Sequence, residues 1–447
     1  MIFDSESVFE DNVITVLKQH GWKDGVLRYP TEQDLLDNWK GILYRNNNDI
    51  DRLGKYPLTD GEMAQIIEQI ETLRTPLALN SFVNGRTVSI TRDNKEDVAH
   101  FGKEISLYIY DRKEIAGGKR TYQIAQQPVY PAKNKMLNSR RGDLVLLING
   151  MPLIHIELKK SGIPVSQATN QIEKYTHEGV FTGLFRLVQI FVAMNPDDAV
   201  YFANPGVDKF NPSYYFHWAD YNNEPICGGQ NPGKDEWKLF IGGTSGTAGL
   251  LSIPMAHQLI GFYTIADSAD GCLKVLRSYQ YIAANAISDV VRKCDWEQRP
   301  ATPGRPGGYV WHTTGSGKTM TSFKSAQLIA DSHDADKVVF LMDRIELGTQ
   351  SLKEYRSFAD SETEVQGTEN TGVLRDKLNS TNVNDTLIVT SIQKMSNVKA
   401  GERGVTQTWL DQLAARRIVF IVDECHRSTF GDMLQDIRRS FPNALFF

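Results

Sequence analysis

Apolar residues near the start of the chain recur at the spacing of one helical face. They are Val8, Phe9, Val13, Ile14 and Leu17. This spacing predicts an amphipathic helix from Ser5 to about Gly21, and Ser7 followed by Glu10 has the spacing of a capping box. Residues 34–75 also have a helical pattern, with a polar break at RNNND.

From residue 86 onward the apolar residues alternate with polar ones, which predicts β-strands. The predicted strands read RTVSI, ISLYIYD, TYQIAQQPVY, DLVLLI and PLIHIEL, and a helix over residues 165–178 separates them from QIFVAM and AVYFAN. Strands flanked by helices predict an α/β domain with its core at about 86–205. The stretch from about 205 to 255 is rich in Asn, Pro and Gly, and it predicts an irregular connection.

Strands and helices alternate again towards the end of the chain. Strands are predicted at GYVWH, KVVFLMD, DTLIVTS, RIVFIVDE and ALFF, and their alternation with helices predicts a parallel sheet flanked by helices. We therefore expect two domains, residues 1–262 and residues 263–447. A chain of 447 residues is long enough for a separate core in each domain.

Composition and charge narrow the class of protein. The formal net charge is −5, so any contact with nucleic acid must come from a local basic patch rather than from the charge of the whole chain. No apolar run is long enough to span a membrane, and the acidic start MIFDSESVFED differs from a secretory signal. We expect a cytoplasmic protein with no membrane partner and with its four scattered cysteines reduced.

The first candidate site is a phosphate-binding loop at HTTGSGKT, residues 312–319. Its glycines let backbone N–H groups turn towards a phosphate, Lys318 would reach the β- and γ-phosphates, and Thr319 would bind Mg²⁺. The first glycine of the general G-x-x-x-x-G-K-[ST] pattern is replaced by His312. The predicted ATP-binding residues of the loop are Thr314, Gly315, Ser316, Gly317, Lys318 and Thr319.

An acidic motif follows the apolar stretch RIVFIV, so its residues emerge at the carboxyl end of a predicted strand. There Asp423 would hold Mg²⁺, Glu424 would polarise the attacking water, and His426 would link the nucleotide state to neighbouring segments. The alternative is a buried structural pair of carboxylates, which would need partners that an apolar strand does not provide. Together with the loop, this motif predicts a site for ATP and Mg²⁺.

These motifs resemble those of superfamily 2 helicases and translocases. Three further stretches fit the resemblance in order, and their residues are Gln280 in RSYQ, Asp343, Arg344 and Gln350 in MDRIELGTQ, and Thr390, Gln393 and Lys394 in TSIQK. The resemblance implies that Gln280 contacts adenine and that the last two stretches lie on the nucleic-acid face of a first RecA-like lobe. Its next motif would begin after Phe447, so we expect this chain to bind ATP but to hydrolyse it slowly without the arginine finger of a second lobe.

The second candidate site lies in RRGDLVLLINGMPLIHIELKK, residues 140–160. Asp143 begins one predicted strand, and Glu157 and Lys159 share one face of the return strand because they are two residues apart. Two carboxylates and a lysine around a divalent metal could activate a water and stabilise the charge that develops during phosphodiester cleavage. The alternative is that Glu157 and Lys159 form only the polar side of an amphipathic strand.

Strand register decides whether the two acids can meet. A strict two-residue turn at Asn149-Gly150 would pair position 143 with 156 and place Asp143 and Glu157 on opposite faces. A bulge at Gly150 would shift the register by one residue and bring both carboxylates to one face. We predict this bulge and, with it, a metal site formed by Asp143 and Glu157.

Further residues surround this D-x(n)-E-x-K pattern. A basic loop precedes it, with Lys133, Lys135, Arg140 and Arg141. Gln171 and Tyr175 follow on one face of a predicted helix. Over essentially the whole chain, this arrangement resembles the R subunit of type I restriction-modification enzymes. The resemblance implies a PD-(D/E)xK restriction-type nuclease domain before the RecA-like lobe, with Asp143, Glu157 and Lys159 catalytic and Gln171 and Tyr175 as an accessory motif.

An acid on the N-terminal helix completes many folds of this kind, and either Glu6 or Glu10 could supply it. The resemblance implies ATP-dependent DNA translocation coupled to Mg²⁺-dependent cleavage of double-stranded DNA, with methyltransferase and specificity subunits as partners. Two alternatives remain open. One is a self-contained nuclease-helicase of DNA repair or phage defence, and the other is a non-catalytic, ATP-gated DNA-binding scaffold.

Overall fold

The computed structural model describes residues 2–115, 120–130, 140–207, 209–298, 307–342, 345–359, 364–402, 405–423 and 430–447, without the side chains of 345–351 and 430. The chain divides into two compact units, one ending at Ser278 and the other beginning at Tyr279. A β-hairpin at 264–275 therefore belongs to the first unit. Our expected boundary at 262/263 places this hairpin in the second domain instead.

The first unit combines helices and strands. Its helices are α1 Glu6–Gln19, α2 Glu32–Asn46, α3 Asp60–Thr72, α4 Pro76–Asn84, α5 Val165–Glu178, α6 Glu236–Gly242 and α7 Met255–Gly261. Its strands are β1 Val26–Arg28, β2 Thr87–Thr91, β3 Glu104–Tyr108, β4 Tyr122–Gln126, β5 Val129–Tyr130, β6 Arg140–Arg141, β7 Leu144–Ile148, β8 Met151–Leu158, β9 Ile190–Met194, β10 Ala199–Ala203, β11 Thr264–Asp267 and β12 Cys272–Val275.

A six-stranded mixed sheet forms the centre of the first unit, in the order β1-β4-β7-β8-β9-β10. Strands β7 and β8 form an antiparallel hairpin, and α5 connects β8 to β9, which runs parallel to it. Every residue of β7, β8 and β9 is buried. Because both faces of these strands are covered, polar residues on them can be retained only where they find partners or serve a site.

The N-terminal helix shows how local sequence sets its start. Helix α1 begins at Glu6, one residue after the predicted start, and its N-cap is Ser5, whose side chain accepts a hydrogen bond from the Val8 N–H. The predicted capping box of Ser7 and Glu10 is therefore wrong. Ser5 has the extended backbone that an N-cap requires, whereas Ser7 already lies within the helix.

The second unit contains a parallel sheet and its crossover helices. The helices are α8 Ser278–Arg292, α9 Lys318–Ser332, α10 Ile345–Phe358, α11 Thr371–Asn379, α12 Ile392–Ser396, α13 Gln407–Ala414 and α14 Phe430–Ser440. The strands are β13 Lys337–Met342, β14 Val365–Gly367, β15 Leu387–Ser391, β16 Ile418–Val422 and β17 Leu445–Phe446. They form one sheet in the order β14-β15-β13-β16-β17, and all of its pairings are parallel.

Helices cover both faces of this parallel sheet. Alternate residues of β13 enter different apolar clusters, with Val339 and Leu341 in one and Val338 and Phe340 in the other. This two-sided burial explains the continuous apolar strands in the sequence. The predicted α/β class, with a parallel sheet flanked by helices in this unit, is confirmed.

The stretch GYVWH is an exception to the predicted strands. The Gly308 N–H donates to the Phe446 carbonyl, but residues 307–313 form no strand. Tyr309 and Trp311 are 84% and 88% exposed. The strand prediction is therefore wrong here, because these alternate residues bury too little apolar surface to offset the entropy of ordering the segment.

No helix in the described part of the chain is both long enough and apolar enough to cross a membrane.

Candidate functional sites

The hairpin of β7 and β8 positions the two predicted catalytic acids. Its tight turn uses Asn149 and Gly150, which both have positive φ, and it pairs Ile148 with Met151. The register shifts further along the hairpin, where Leu146 pairs with Ile154 and Leu147 pairs with Pro152. One residue of β8, at position 153, is therefore extra.

This shift places Asp143 and Glu157 on the same face of the sheet. Leu144 pairs with Ile156, so the next positions outwards face each other. The predicted register shift is present, but its predicted position at Gly150 is wrong. Gly150 serves the turn, and the bulge lies beside Pro152, which has no N–H to donate to the ladder.

The two carboxyl groups form a close, enclosed pair. Part of residue Asp143 reaches the surface, but its carboxylate faces inwards, where Oδ2 accepts a hydrogen bond of 2.6 Å from the Leu158 N–H. Glu157 is 0% exposed, and its carboxylate lies close enough to Asp143 for the two acids to interact by hydrogen bonding. Both oxygens of Glu157 otherwise lack a hydrogen-bond partner. The pair is thus buried with one backbone donor, the Leu158 N–H, which is too few to compensate two negative charges.

Burial changes the protonation of this pair. It raises the pKa of Asp143 to about 8, and the neighbouring Glu157 charge raises it further. Burial also raises the pKa of Glu157 to about 8, against the opposing effect of Lys159. Without a cation, the pair therefore holds a proton at neutral pH.

Lys159 lies beside the acids. Its Nζ is 3.6 Å from Glu157 Oε1 and 3.7 Å from Glu6 Oε1, and it donates a hydrogen bond of 2.7 Å to the Leu158 carbonyl. The side chain is 9% exposed. The structure thus brings together Asp143, Glu157 and Lys159, as the hairpin pattern predicts.

The sequence did not decide whether Glu6 or Glu10 of α1 joins the acid pair. Both lie near it, and their contacts differ. Glu6 is half exposed and contacts Lys159. Glu10 is 2% exposed and accepts hydrogen bonds from Gln126 at 2.8 Å and Gln127 at 3.1 Å. Burial raises the pKa of Glu10, and the charge of Asp143 adds to this.

The predicted accessory residues support the chain next to the acids. On α5, Gln171 Nε2 donates to the Tyr175 hydroxyl at 2.6 Å, and that hydroxyl donates to the Arg141 carbonyl at 2.9 Å. Burial and the charge of Glu157 raise the pKa of Tyr175, so its hydroxyl keeps its proton. Gln171 and Tyr175 thereby fix the backbone two residues before Asp143.

Only part of the predicted basic patch falls within the described residues. Lys133 and Lys135 lie outside them. Arg140 donates two hydrogen bonds to the Glu178 carboxylate, and the Arg141 guanidinium lies 5.6 Å from the centre of the Tyr29 ring.

Three residues at this site were missed from the sequence. His155 is fully buried on β8, with Nε2 3.3 Å from Glu157 Oε2 and Nδ1 2.9 Å from the Tyr130 hydroxyl. Burial lowers the pKa of His155 to about 4, so the ring is neutral. A side chain at Gly142 would collide with this pair, because its Cβ would lie 2.6 Å from Tyr130 Oη and 2.8 Å from His155 Cε1. The sequence could have indicated His155, because it lies two residues before Glu157 and therefore on the same face of the strand.

The phosphate-binding loop of the second unit begins helix α9. Gly315 and Gly317 have φ of 77° and 79°, and Lys318 is the first helical residue. Thr314 is exposed, and Thr319 is half-buried. The loop thus presents backbone N–H groups at a helix N-terminus, where an anion is favoured.

His312 and Ser316 brace this loop from within. His312 replaces the usual first glycine, and its Nδ1 lies 2.8 Å from Ser316 Oγ. The Ser316 hydroxyl donates to the Thr313 carbonyl at 2.7 Å. His312 therefore stabilises the loop by hydrogen bonding, whereas a glycine at this position would contribute only conformational freedom.

Gln280 packs against the same loop. Its Nε2 donates to the Gly317 carbonyl at 3.2 Å, and a Cβ at Gly317 would lie 2.5 Å from that nitrogen. The Tyr279 hydroxyl donates to the Ser316 carbonyl at 2.8 Å. Contact of Gln280 with adenine stays a prediction, while its contact with the loop is direct.

The structure also brings Asp423 of the acidic motif to the loop. Asp423 follows the carboxyl end of β16, and its N–H donates to the Leu341 carbonyl. Its Oδ1 lies 2.9 Å from Lys318 Nζ. Glu424, His426, Asp343 and Arg344 lie outside the described residues, as does the side chain of Gln350.

The predicted nucleic-acid residues of TSIQK lie at the end of β15 and in α12. Thr390 and Thr368 join their hydroxyls at 2.8 Å, and Lys394 donates to the Thr368 carbonyl. Gln393 lies next to Lys394 on α12. Lys394 and Arg375 line a groove of about 600 Å³.

Two sequence families match the chain, one in each unit. The family described as type I restriction enzyme R protein N terminus matches residues 4–210. The family described as SWI2/SNF2 ATPase matches residues 279–447.

Individual relatives agree with these families. A type I restriction enzyme endonuclease subunit of Staphylococcus saprophyticus is 34% identical over 100% of this chain and 42% of its own length. A Mycoplasma pneumoniae protein, described as the C-terminal part of such a subunit, is 37% identical over 38% of this chain and 80% of its own length. This chain thus spans less than half of the full-length relative.

Among solved structures, a nuclease-deletion mutant of the Type ISP restriction-modification enzyme LlaGI, in complex with a DNA substrate mimic, has a TM-score of 0.26 and 18% identity. It aligns over 39% of this chain and 17% of its own, and so low a score carries no structural inference. The sequence relatives and the family match are sufficient: this chain belongs to the endonuclease subunits, or R subunits, of type I restriction enzymes.

Proposed function

We propose that the first unit cleaves double-stranded DNA with Mg²⁺ at Asp143 and Glu157, and that the second unit binds ATP and Mg²⁺ and contributes to DNA translocation. The chain would act as the restriction subunit of a complex with methyltransferase and specificity subunits. The observation that carries the cleavage proposal is the buried pair of acids with Lys159 beside it on one face of the hairpin.

The residues at the pair fit a divalent cation. Both oxygens of Glu157 are buried and lack hydrogen-bond partners apart from the neighbouring Asp143, and a cation would satisfy them. The described residues contain no group of three or more His, Cys, Asp or Glu side chains that could hold a metal. Asp143 and Glu157 would therefore be joined by main-chain oxygens and water, in keeping with the oxygen ligands that Mg²⁺ prefers.

Bound there, Mg²⁺ would supply a water of lowered pKa and charge stabilisation at the phosphate. Lys159 carries a positive charge 3.6 Å from Glu157, close enough to stabilise negative charge that develops on a phosphate at this site. Gln171 and Tyr175 hold the Arg141 carbonyl and thereby position the chain that leads to Asp143. These roles explain why polar residues occur on otherwise apolar, buried strands.

The ATP-binding proposal depends on residues 314–319 and Asp423. Gly315 and Gly317 let the loop turn, and Lys318 would bind the phosphates after leaving Asp423. Thr319 and Asp423 would hold Mg²⁺, and Glu424 and His426 are proposed to act in hydrolysis as the motif predicts. The match to SWI2/SNF2 ATPases over residues 279–447 supports this proposal.

The cleavage proposal is tested in the full-length subunit assembled with its methyltransferase and specificity subunits. The variants Asp143→Ala and Lys159→Ala should lose ATP-dependent double-strand cleavage of a plasmid that carries the recognition sequence, while ATP hydrolysis continues. Cleavage that persists in both variants would refute the nuclease assignment. Cleavage by the subunit alone, without its partners, would instead favour a self-contained nuclease-helicase.

A further inference from the structure

Two buried residues next to the acid pair have no part in the roles proposed so far. His155 lies two residues before Glu157 on the same face of β8, and Tyr130 lies at the end of β5. They form a chain of contacts in which the Tyr130 hydroxyl is 2.9 Å from His155 Nδ1 and His155 Nε2 is 3.3 Å from Glu157 Oε2. All three side chains are at most 1% exposed.

The contacts of His155 determine which ring nitrogen carries the proton. Tyr130 keeps its hydroxyl proton, because burial raises its pKa well above the ordinary value, and it can donate that proton to His155 Nδ1 at 2.9 Å. Nε2 then carries the N–H and lies 3.3 Å from Glu157 Oε2, a close contact outside hydrogen-bond geometry. The other tautomer would place a lone pair of Nε2 against a carboxylate oxygen, and two acceptors would face each other.

We propose that His155 is a positioning residue for the metal-binding carboxylate, with its Nε2–H tautomer fixed by Tyr130. The imidazole packs against Glu157 with Nε2 3.3 Å from Oε2, while Lys159 Nζ lies 3.6 Å from Oε1. A carboxylate flanked in this way has a fixed rotation and offers its free lone pairs in one direction. This inference rests on the proposed nuclease function, because it assigns the geometry of the same site.

The other acid is fitted around the same two side chains. Gly142 immediately precedes Asp143, and any Cβ there would collide with Tyr130 Oη and His155 Cε1. The backbone that carries Asp143 therefore packs directly on the Tyr130–His155 pair. One buried pair of residues thus sets the rotation of Glu157 and the approach of Asp143, as outer residues of metal sites do for their ligands.

The test measures Mg²⁺ binding to the 447-residue chain by isothermal titration calorimetry without nucleotide. Asp143→Asn gives the baseline for Mg²⁺ that binds elsewhere. His155→Leu, which removes both nitrogens at similar size, should weaken Mg²⁺ binding at the pair by about 10- to 100-fold. His155→Gln, which retains an N–H donor, should recover most of this loss, and Tyr130→Phe should cause a loss of a few-fold.

A second measurement separates positioning from a general structural effect. In the assembled full-length complex, His155→Leu should raise the Mg²⁺ concentration for half-maximal cleavage by the same factor, with a smaller fall in the rate at saturating Mg²⁺. Its ATP hydrolysis should not change. Ile156→Val is the matched control, because Ile156 is buried on the opposite face of β8 and its variant should retain wild-type Mg²⁺ binding.

Wild-type Mg²⁺ affinity in His155→Leu would overturn the proposal. If that variant fails to fold by circular dichroism, Tyr130→Phe decides, and an unchanged affinity there would overturn it. The nuclease assignment fails separately, through cleavage that persists in Asp143→Asn and Glu157→Gln. Loss of cleavage in those two variants, together with unchanged Mg²⁺ binding in His155→Leu, would refute only the role of His155.

Discussion

The acid pair of the first unit and the phosphate-binding loop of the second differ in how far each is closed before a ligand arrives. Glu157 is fully buried on a strand, whereas Thr314, Gly315 and Gly317 are exposed on a loop. In the acid pair, a proton neutralises the charge that a cation would neutralise. In the loop, Asp423 pairs with Lys318, which would otherwise bind phosphate. Each site thus contains a group that takes the place of its ligand. In the closed acid pair a proton takes the place of the cation, and in the open loop the Asp423 carboxylate takes the place of a phosphate.

The largest expected effect comes from removing one carboxylate of the acid pair. Asp143→Asn or Glu157→Gln should lower DNA cleavage by roughly 10³-fold, because several kcal/mol of metal-dependent transition-state stabilisation would be lost. ATP hydrolysis by the assembled subunit should stay unchanged. Plasmid cleavage and phosphate release, measured in the same reaction, check both parts. A parallel fall in ATP hydrolysis would contradict independent sites.

The next effect concerns the open site. Lys318→Ala should weaken ATP binding by roughly 10- to 100-fold, the loss of a charge-assisted hydrogen bond, with no change in Mg²⁺ binding at the acid pair. Fluorescence titration with a labelled ATP analogue measures the first and calorimetry the second. Lys399→Ala, an exposed lysine of the same unit, is the control. Equal affinity in Lys318→Ala and the control would place the nucleotide elsewhere.

A smaller effect is the dependence of the stability of the first unit on pH. In the metal-free chain the folded pair keeps a proton that the unfolded chain loses, so the stability of the first unit should fall as pH rises from about 4 to about 8. Asp143→Asn should flatten this slope and exceed the wild type in stability at pH 8 by at least about 1.4 kcal/mol, the equivalent of one pKa unit. Urea unfolding at pH 5 and pH 8 tests it. A slope equal to that of the wild type would show that protonation of Asp143 does not cause the pH dependence.

The last comparison is between one glycine from each site. Gly142→Ala should lower stability by about 1–3 kcal/mol and slow cleavage, because the new methyl group collides with Tyr130 and His155. Gly315→Ala meets no atom within 4 Å, so only its positive φ is unfavourable, at about 1 kcal/mol. Thermal unfolding and cleavage assays distinguish the two. A neutral Gly142→Ala would show that the chain can move away from the pair.

The same contrast explains what could be predicted from the sequence. Period-two patterns found β7 and β8, and the acid spacing required a register shift that the structure contains. The position of the bulge at Leu153 could not be predicted from the sequence. It depends on where Pro152 interrupts the hydrogen-bond ladder, and a glycine does not mark it. His155 was missed because a buried histidine in an apolar strand is indistinguishable from a core residue until its partner Tyr130 is known.

In the second unit, the sequence predicted the local motifs more reliably than the structure of the segments around them. The loop at 312–319 and Asp423 come together as the sequence pattern predicts. GYVWH reads as a buried strand but is exposed, because alternation alone does not say whether a covering layer exists. The replacement of a glycine by His312 became interpretable only through its contact with Ser316.

The hairpin that carries both acids is held at its two ends. At its tip, Asn149 donates to the Ile109 carbonyl and accepts from the Thr121 N–H, and Gly150 packs on Trp39. At its base, the Leu158 N–H donates to Asp143 Oδ2, and the extra residue at position 153 fixes which side chains face each other. Such a hairpin cannot slide to separate or approach its carboxylates. For the proposed nuclease, control over cutting would then act on the delivery of metal and DNA to the site, because the two acids themselves stay in place.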